Sequence, residues 1–444
     1  MGVYVHAIEC AVPPAGYAQG YIRDNMKRWL GRSPRAVRLI DRVYRESGIE
    51  TRHSVIRDRE AFFCEAADGT AATPSTRERN EMFTAESKPM FVDLARRAMA
   101  SAGVGPREVT HVVTLSCTGF YSPGPHYHIV QGLGLRPTVQ RYHLGFMGCF
   151  AAFPALRLAR TICQAEPEAV VLAVSVELCT LHVQLAEHLD AIVADAIFAD
   201  GGAAAVVSAA RPGRDRSALR IDHLAPTLVP DSESEMAWTI GERGFEMVLS
   251  QYVPRILEAN VRPMIEPTLA AAGWTVDQVD RWAIHPGGKL ILDKLESSLG
   301  LTDGLGPSRS VLRRFGNMSS ATVLFVLVLR RLPRRFSRPT RAFRLPRLVV
   351  SAAVGLVVFV FALSAADSRT ATPVSDEMIE RSYPDGHGKN IVNVILVDFR
   401  GFDTLGEITV LGVAVVGAVA LARARIGAIR AAGSSGTPPD GGAG

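Results

Sequence analysis

Up to about residue 328 the apolar positions alternate between short β-rich runs and longer amphipathic stretches, and that alternation predicts an α/β architecture. "THVVTLSCTG" (110–119) and "EAVVLAVSVEL" (168–178) predict strands. "DAIFADGGAAAVVSAA" (195–210) follows, its glycine pair allowing close backbone approach before the last strand of this half. Between the first two strands the pattern predicts a helix near 124–134 and a second one after Cys149 in "HLGFMGCFAAFPALRLA" (143–159).

After residue 220 a similar order begins again. "IDHLAPTLVP" predicts a strand, and "GFEMVLSQYVPRILEANVRPMIEPTLAAAG" predicts a mostly helical stretch punctuated by Pro254, Pro263 and Pro267. "RWAIHPGG" predicts a strand ending in a turn, and "KLILDKLESSLG" an amphipathic helix closed by Gly300. "FGNMSS" and another apolar helix, "ATVLFVLVLRRL", complete the order. Each half thus delivers a polar residue to a helix start, Cys149 in the first and Asn317 in the second. The expected division is a half over 1–215 and a second, shorter half over 216–329, facing each other across a shared site.

From residue 330 the pattern changes. "RRLPRRFSRPTRAFRLPR" (330–347) is a basic, proline-broken linker, and "LVVSAAVGLVVFVFALSAA" (348–366) runs 19 residues without a charge. That is close to the ~20 residues that cross a hydrocarbon core, although a buried core segment has the same pattern. With the shorter apolar stretch Ile408 to Ala422 it predicts a two-pass membrane hairpin over 348–425. The flanking arginines put both ends on the cytoplasmic side, before a disordered tail at 426–444.

Composition narrows the function. A net charge of +5 is mild, and the arginine group at 330–347 lacks interleaved base-reading side chains, which argues against nucleic acid. Six cysteines, at 10, 64, 117, 149, 163 and 179, form neither a CxxC pair nor a metal-ligand spacing. The N-terminus lacks a signal-peptide pattern, so the first 329 residues read as cytoplasmic, with reduced thiols.

Three residues are candidates for chemistry. Cys149 alone reads as a core cysteine or as a nucleophile whose thiolate a helix N-terminus favours. His285 in "AIHPGG" reads as structural or catalytic, and Asn317 in "GNMSS" as a helix N-cap or an oxyanion donor. Together they make a nucleophile, a base and a donor, and Cys149 is expected to be thiolate-rich near neutral pH.

At these residues the chain resembles a known family. "GFMGCFAAFPALRLA", "AIHPGGKLIL" and "SRSVLRRFGNMSSATVLFVL" resemble the three catalytic blocks of type III polyketide synthases, the chalcone-synthase-like enzymes of the thiolase fold. "YRESGIETRHSV" and "CTGFYSPGPHYHIVQGLGL" resemble further blocks, and the likeness runs over about residues 1–328. It implies a duplicated αβαβα fold and a homodimer that condenses malonyl-CoA onto an acyl-CoA with no metal and no cofactor beyond these CoA thioesters. It implies Cys149 as the acyl-carrying nucleophile, and His285 and Asn317 as the pair assisting decarboxylation. Phe198 and Met247 match gating positions, Cys117 and Thr118 cavity-lining ones, and Arg42 a contact for the CoA phosphates. One departure stands out: no Gly-Pro-Gly follows Asn317, so the strand pair that completes the family's second half is missing. Weak or no synthase activity is therefore expected.

"NIVNVILVDFRGFDTLGEITVLGVAVVGAVAL" resembles the end of the large subunit of Mrp-type sodium/proton antiporters. Asp398, Arg400, Asp403 and Glu407 beside a span are functional candidates or charges at the water interface. The alternative to a synthase is thus a fused fragment that assembles with antiporter subunits in the membrane.

Overall fold

The structure is a computed structural model describing residues 2–31, 33–63, 74–213, 218–250, 252–301, 304–331, 375–381 and 384. The chain divides into two units, 1–336 and 337–444. In the second, the described residues are the short helix Ser375–Arg381 and residue 384. The expected linker from 332 onward, both membrane spans and the tail lie outside the described residues. Among the described residues no helix is long and apolar enough to cross a membrane.

The first unit is built on a mixed six-stranded sheet. Its strands are β1 (Tyr4–Ala11), β4 (His111–Ser116), β5 (Gln140–Gly145), β6 (Val170–Leu178), β7 (Asp200–Ser208) and β8 (Leu219–Arg220). They lie in the order β5-β4-β6-β7-β1-β8, parallel from β5 to β6 and antiparallel beyond. Two short strands, β2 (Gly16–Ala18) and β3 (Thr51–His53), pair beside it. β7 is buried throughout and β6 at all but its first residue, which is why their sequences read as continuous apolar runs rather than alternating ones.

Helices cover both faces. The first half carries α1 (Gln19–Leu30), α2 (Pro34–Glu46), α3 (Arg59–Phe62), α4 (Thr76–Ala102), α5 (Pro125–Leu133), α6 (Ala152–Ala165) and α7 (Leu189–Ile197). The 27-residue α4 starts in a Ser75–Glu78 capping box and stops at Gly103, whose φ of 69° suits glycine. Its Phe83, Phe91, Leu94, Ala95 and Ala98 form one stripe against one sheet face. The other face is covered by α6 and by α11 (Thr322–Arg331), which belongs to the second half of the sequence. The expected close approach at the glycine pair is present: a Cβ on Gly202 would sit 2.8 Å from the Ser175 carbonyl oxygen.

The second half departs from expectation. Residues 221–230 form no strand; only Leu219–Arg220 pairs, as β8, with the edge of the first sheet. Residues 281–288 are also not a strand, because no neighbouring strand among the described residues offers their backbone a partner. The stretch expected to be mostly helical opens as a hairpin, β9 (Met236–Gly241) with β10 (Gly244–Leu249). Alternating burial and a tight Glu242–Arg243 connection outweigh the helical reading there. Only then does α8 (Val253–Ala271) start, with Pro263 and Pro267 inside it. α9 (Lys289–Leu299) ends at Gly300 as expected, and α10 (Gly306–Phe315) precedes α11.

Candidate active site

A cavity of about 940 Å³ opens between the start of α6, the β9–β10 hairpin and helices α8 and α9. Cys149, His285, Asn317, Phe198, Met247, Cys117 and Thr118 all line it, as does Ser319. Of the expected site residues only Arg42 lies elsewhere. Its side chain is 74% exposed on α2, pairs with Glu46 at 3.3 Å, and lines a separate groove.

Local backbone chemistry brings Cys149 forward. After β5 ends at Gly145, Phe146 adopts φ 54° and Gly148 φ 69°, and the chain turns through one 3-10 turn, Gly148–Phe150, into α6. Ser319, on the Asn317 side, adopts φ 46°. Two of the three non-glycine residues at positive φ among the described residues thus border this cavity, where such backbone cost tends to accumulate.

Asn317 is held by the first half. Its N–H donates to the Ile197 carbonyl at 3.0 Å and its carbonyl accepts from Ala199 N–H at 2.8 Å, a bridge that also fixes Phe198 between them. Its Oδ1 accepts from Ser319 N–H at 2.9 Å and from the Thr322 hydroxyl at 3.3 Å, which leaves Nδ2 as a donor toward the site. Nδ2 faces Cys149 Sγ at 3.9 Å and the Gly287 carbonyl at 3.5 Å. His285 reaches the cavity from the irregular segment before α9, braced where the Ser308 hydroxyl donates to the Ile284 carbonyl at 2.6 Å. Neither of its buried ring nitrogens has a partner.

Electrostatics correct one expectation. Burial pushes the Cys149 thiol up to about 11, and Glu177 adds to this; hydrogen bonds from Ser319 and Asn317 pull it only part of the way back. Burial also pushes His285 down to about 4, so at neutral pH the empty site holds a thiol and a neutral imidazole. The thiolate expected from the helix start is outweighed by desolvation.

Sequence reasoning missed the second layer around these residues. Glu177, fully buried and raised above the usual carboxylate range by that burial, accepts from Cys117 N–H at 2.9 Å and the Thr118 hydroxyl at 3.0 Å. It also accepts from the Ser320 hydroxyl. Trp238 donates its indole N–H to the Cys117 carbonyl at 2.8 Å, and buried His182 bridges the Thr118 carbonyl (2.7 Å) and Phe245 N–H (3.0 Å). These bonds pin the hairpin that carries Met247. Buried Arg52 donates to the Phe198 carbonyl at 2.6 Å. A charged residue inside "ETRHSV" was the one sequence signal available for Arg52. Phe198 and Met247, with Cys179 and Trp238, also line a neighbouring cavity of about 410 Å³, so they stand between the two spaces.

Comparisons with known proteins agree with this site. The profile "Chalcone and stilbene synthases, N-terminal domain" matches residues 4–212, and its C-terminal counterpart matches 220–337. A third profile, which describes a component of the MBH assembly, matches 340–431. The alpha-pyrone synthesis polyketide synthase-like Pks18 of Mycobacterium tuberculosis is 33% identical over 296 residues, covering 65% of this chain and 73% of that protein. The 1,3,6,8-tetrahydroxynaphthalene synthase of Streptomyces griseus is 31% identical over 291 residues, covering 65% and 74%. Among solved structures, PKS-I of the brown alga Ectocarpus siliculosus aligns with a TM-score of 0.68 at 28% identity, over 74% of this chain and 88% of that one.

Proposed function

The chain belongs to the chalcone and stilbene synthases, the type III polyketide synthase family of condensing enzymes, and from that premise we propose that it extends an acyl-CoA through a thioester on Cys149. The observation that carries the reading is the Asn317 amide N–H aimed at Cys149 Sγ beside a His285 ring with two unpartnered nitrogens.

In this reading the neutral imidazole of His285 accepts the thiol proton as Sγ attacks the thioester carbonyl of the starter, and CoA thiol leaves. Malonyl-CoA then enters, loses CO₂, and the resulting enolate oxygen takes hydrogen bonds from Asn317 Nδ2 and the imidazole. The enolate carbon attacks the Cys149 thioester, the C–S bond breaks, and the lengthened chain leaves on CoA for another round. Arg42 stays a proposed surface contact for the CoA phosphates. Phe198 and Met247 stay proposed gates, consistent with their standing between two cavities.

The functional unit is proposed to be a homodimer. Edge strand β5 exposes Gln140 to His143, and Phe146, Met147, Phe150 and Phe153 form exposed apolar surface beside it. The halves 1–215 and 216–329, a cytoplasmic catalytic part, and a membrane-associated, antiporter-like 348–425 belong to the same proposal; for the last, the support is sequence likeness.

The test is to incubate the full chain with an acyl-CoA and malonyl-CoA and follow CoA release, CO₂ and protein mass. Acylation of the Cys149 peptide together with CO₂ release is expected. Product formation without a Cys149 adduct, or undiminished by Cys149→Ala, overturns the reading.

A further inference from the structure

The polar groups of the 940 Å³ cavity gather at one end, while its other end is apolar. Cys149, Asn317, Ser319, His285 and Thr118 mark the reactive end. Away from it, the walls are Leu257, Val261, Met264 and Ile265 of α8 and Ile291 and Leu295 of α9, closed by Trp282 and Ile284. α8 faces this space with little else to cover it: of its 19 residues only Val253, Pro254 and Val261 are buried. The arm occupies the layer in which residues 281–288 were expected to lie as a strand and do not.

We propose that this arm binds the alkyl tail of a long-chain acyl thioester while its carbonyl sits at Cys149. The inference deepens the acyl-transfer reading and rests on it. A linear alkyl chain matches what the walls offer. It needs no hydrogen-bond partner, it fills a slot between two helices, and it is anchored at the one end where polar donors stand. The volume lies near the top of the roughly 300–1,000 Å³ range of small-molecule sites, more than a two-carbon starter fills. Each methylene moved from water into the arm is expected to raise acylation efficiency about fourfold until the arm is full. The single polar atom set against this is the Trp282 indole N–H, buried without a partner, and it makes Trp282 a reporter.

The experiment uses the full chain and a series of saturated acyl-CoAs from two to eighteen carbons, with acylation of Cys149 followed by peptide mass. Rates that climb steeply through the medium chain lengths and then level off are expected. Rates flat or falling with length, while acetyl-CoA still loads Cys149, overturn this inference and leave the acyl-transfer reading intact. Loading by no acyl-CoA overturns that reading itself. A bromine-tagged fatty acid tests the arm without chemistry. Saturable quenching of tryptophan emission, lost in Trp282→Phe, is expected; no quenching means that something else, such as the chain's own apolar 348–366 stretch, fills the space, and overturns the inference. Val261→Trp, or Leu257→Trp should the first variant fail to fold, is expected to shift the long-to-short rate ratio at least about tenfold toward short chains, and an unchanged ratio counts against the arm.

Discussion

The two halves of the first unit read alike in sequence and fold differently. "THVVTLSCTG" becomes β4, with His111 opposite Gln140 of β5 on one side and Val171 of β6 on the other. "RWAIHPGG", its counterpart, is no strand. The apolar character of the two is comparable; what differs is the neighbours, since a β-strand is stable only where adjacent strands satisfy its N–H and C=O groups. Packing follows the same division. The two clusters on the first sheet hold 25 buried residues each, against four and three in the clusters around α8, α9 and α10. Asn317 escapes this weakness because it hangs on first-half backbone and leads into α11, which packs on the first sheet. His285 does not: Ser308 is its nearest brace. The lesson is that a site can be shared by two halves while being held by one.

The sharpest way to break this comparison is to separate the chemistry by half. Cys149→Ala is expected to lower acyl-enzyme formation on the order of a thousandfold or more, read as loss of the Cys149 adduct. His285→Ala and Asn317→Ala are expected to leave some acylation and to slow malonyl-CoA decarboxylation by about 10²- to 10⁴-fold. Equal losses of both steps in all three variants would show that the halves do not divide the work.

A second test supplies the neighbours. Grafting a strand–Gly-Pro-Gly–strand segment after Leu329 gives 281–288 something to pair with. Four newly buried Val or Leu side chains at roughly 1.5–3 kcal/mol each are enough to matter in a fold stable by about 5–15 kcal/mol. The unfolding midpoint is expected to rise by about 10 °C or more, and synthase activity to rise from its weak starting level. A natural chain already fully active, unchanged by the graft, would mean that the second strand layer is dispensable.

How far the sequence could be read follows from the same physics. Local signals carried over: the α4 stripe ends where Gly103 permits positive φ, the Gly201–Gly202 pair allows close packing, and α9 ends at Gly300. Motif spacing brought Cys149, His285 and Asn317 to one cavity. What could not be read depends on residues distant in the chain. Glu177 is an unremarkable acid in a strand until Cys117, Thr118 and Ser320 converge on it. The thiol of Cys149 could be judged favoured by its helix start, but not how thoroughly folding would desolvate it.

Within the better-packed half a smaller effect is expected. Gly202→Ala places a methyl 2.6 Å from Leu94 Cδ1 and 2.8 Å from the Ser175 carbonyl oxygen, and backbone cannot swing aside as a flexible side chain can. A loss of about 1–3 kcal/mol is expected by denaturant unfolding. Gly306→Ala, in the second half at a position where a Cβ meets nothing within 4 Å, is the matched control and is expected to change stability little. Equal losses at both would mean that the first half is no more tightly packed than the second.

The smallest effect lies at the seam between the halves. Cys149 comes from the first half, and two second-half residues, Ser319 and Asn317, provide the hydrogen bonds that favour its anion. The sign follows directly. Burial favours the neutral thiol and sets the midpoint at about 11, above the ~8.5 of a free cysteine, so alkylation should keep climbing about tenfold per pH unit beyond pH 8.5. Removing a donor to the thiolate leaves burial less opposed, so Ser319→Ala and Asn317→Ala should each move the midpoint further up. The change is expected to be a fraction of a pH unit to about one, since a hydrogen bond to a charged group is worth roughly 1.5–3 kcal/mol at most. Iodoacetamide labelling of the Cys149 peptide across pH 6–10.5 measures it. A plateau below pH 8 would mean that the helix start outweighs burial after all. Variants that shift the midpoint downward would mean that the second half suppresses the nucleophile rather than supporting it.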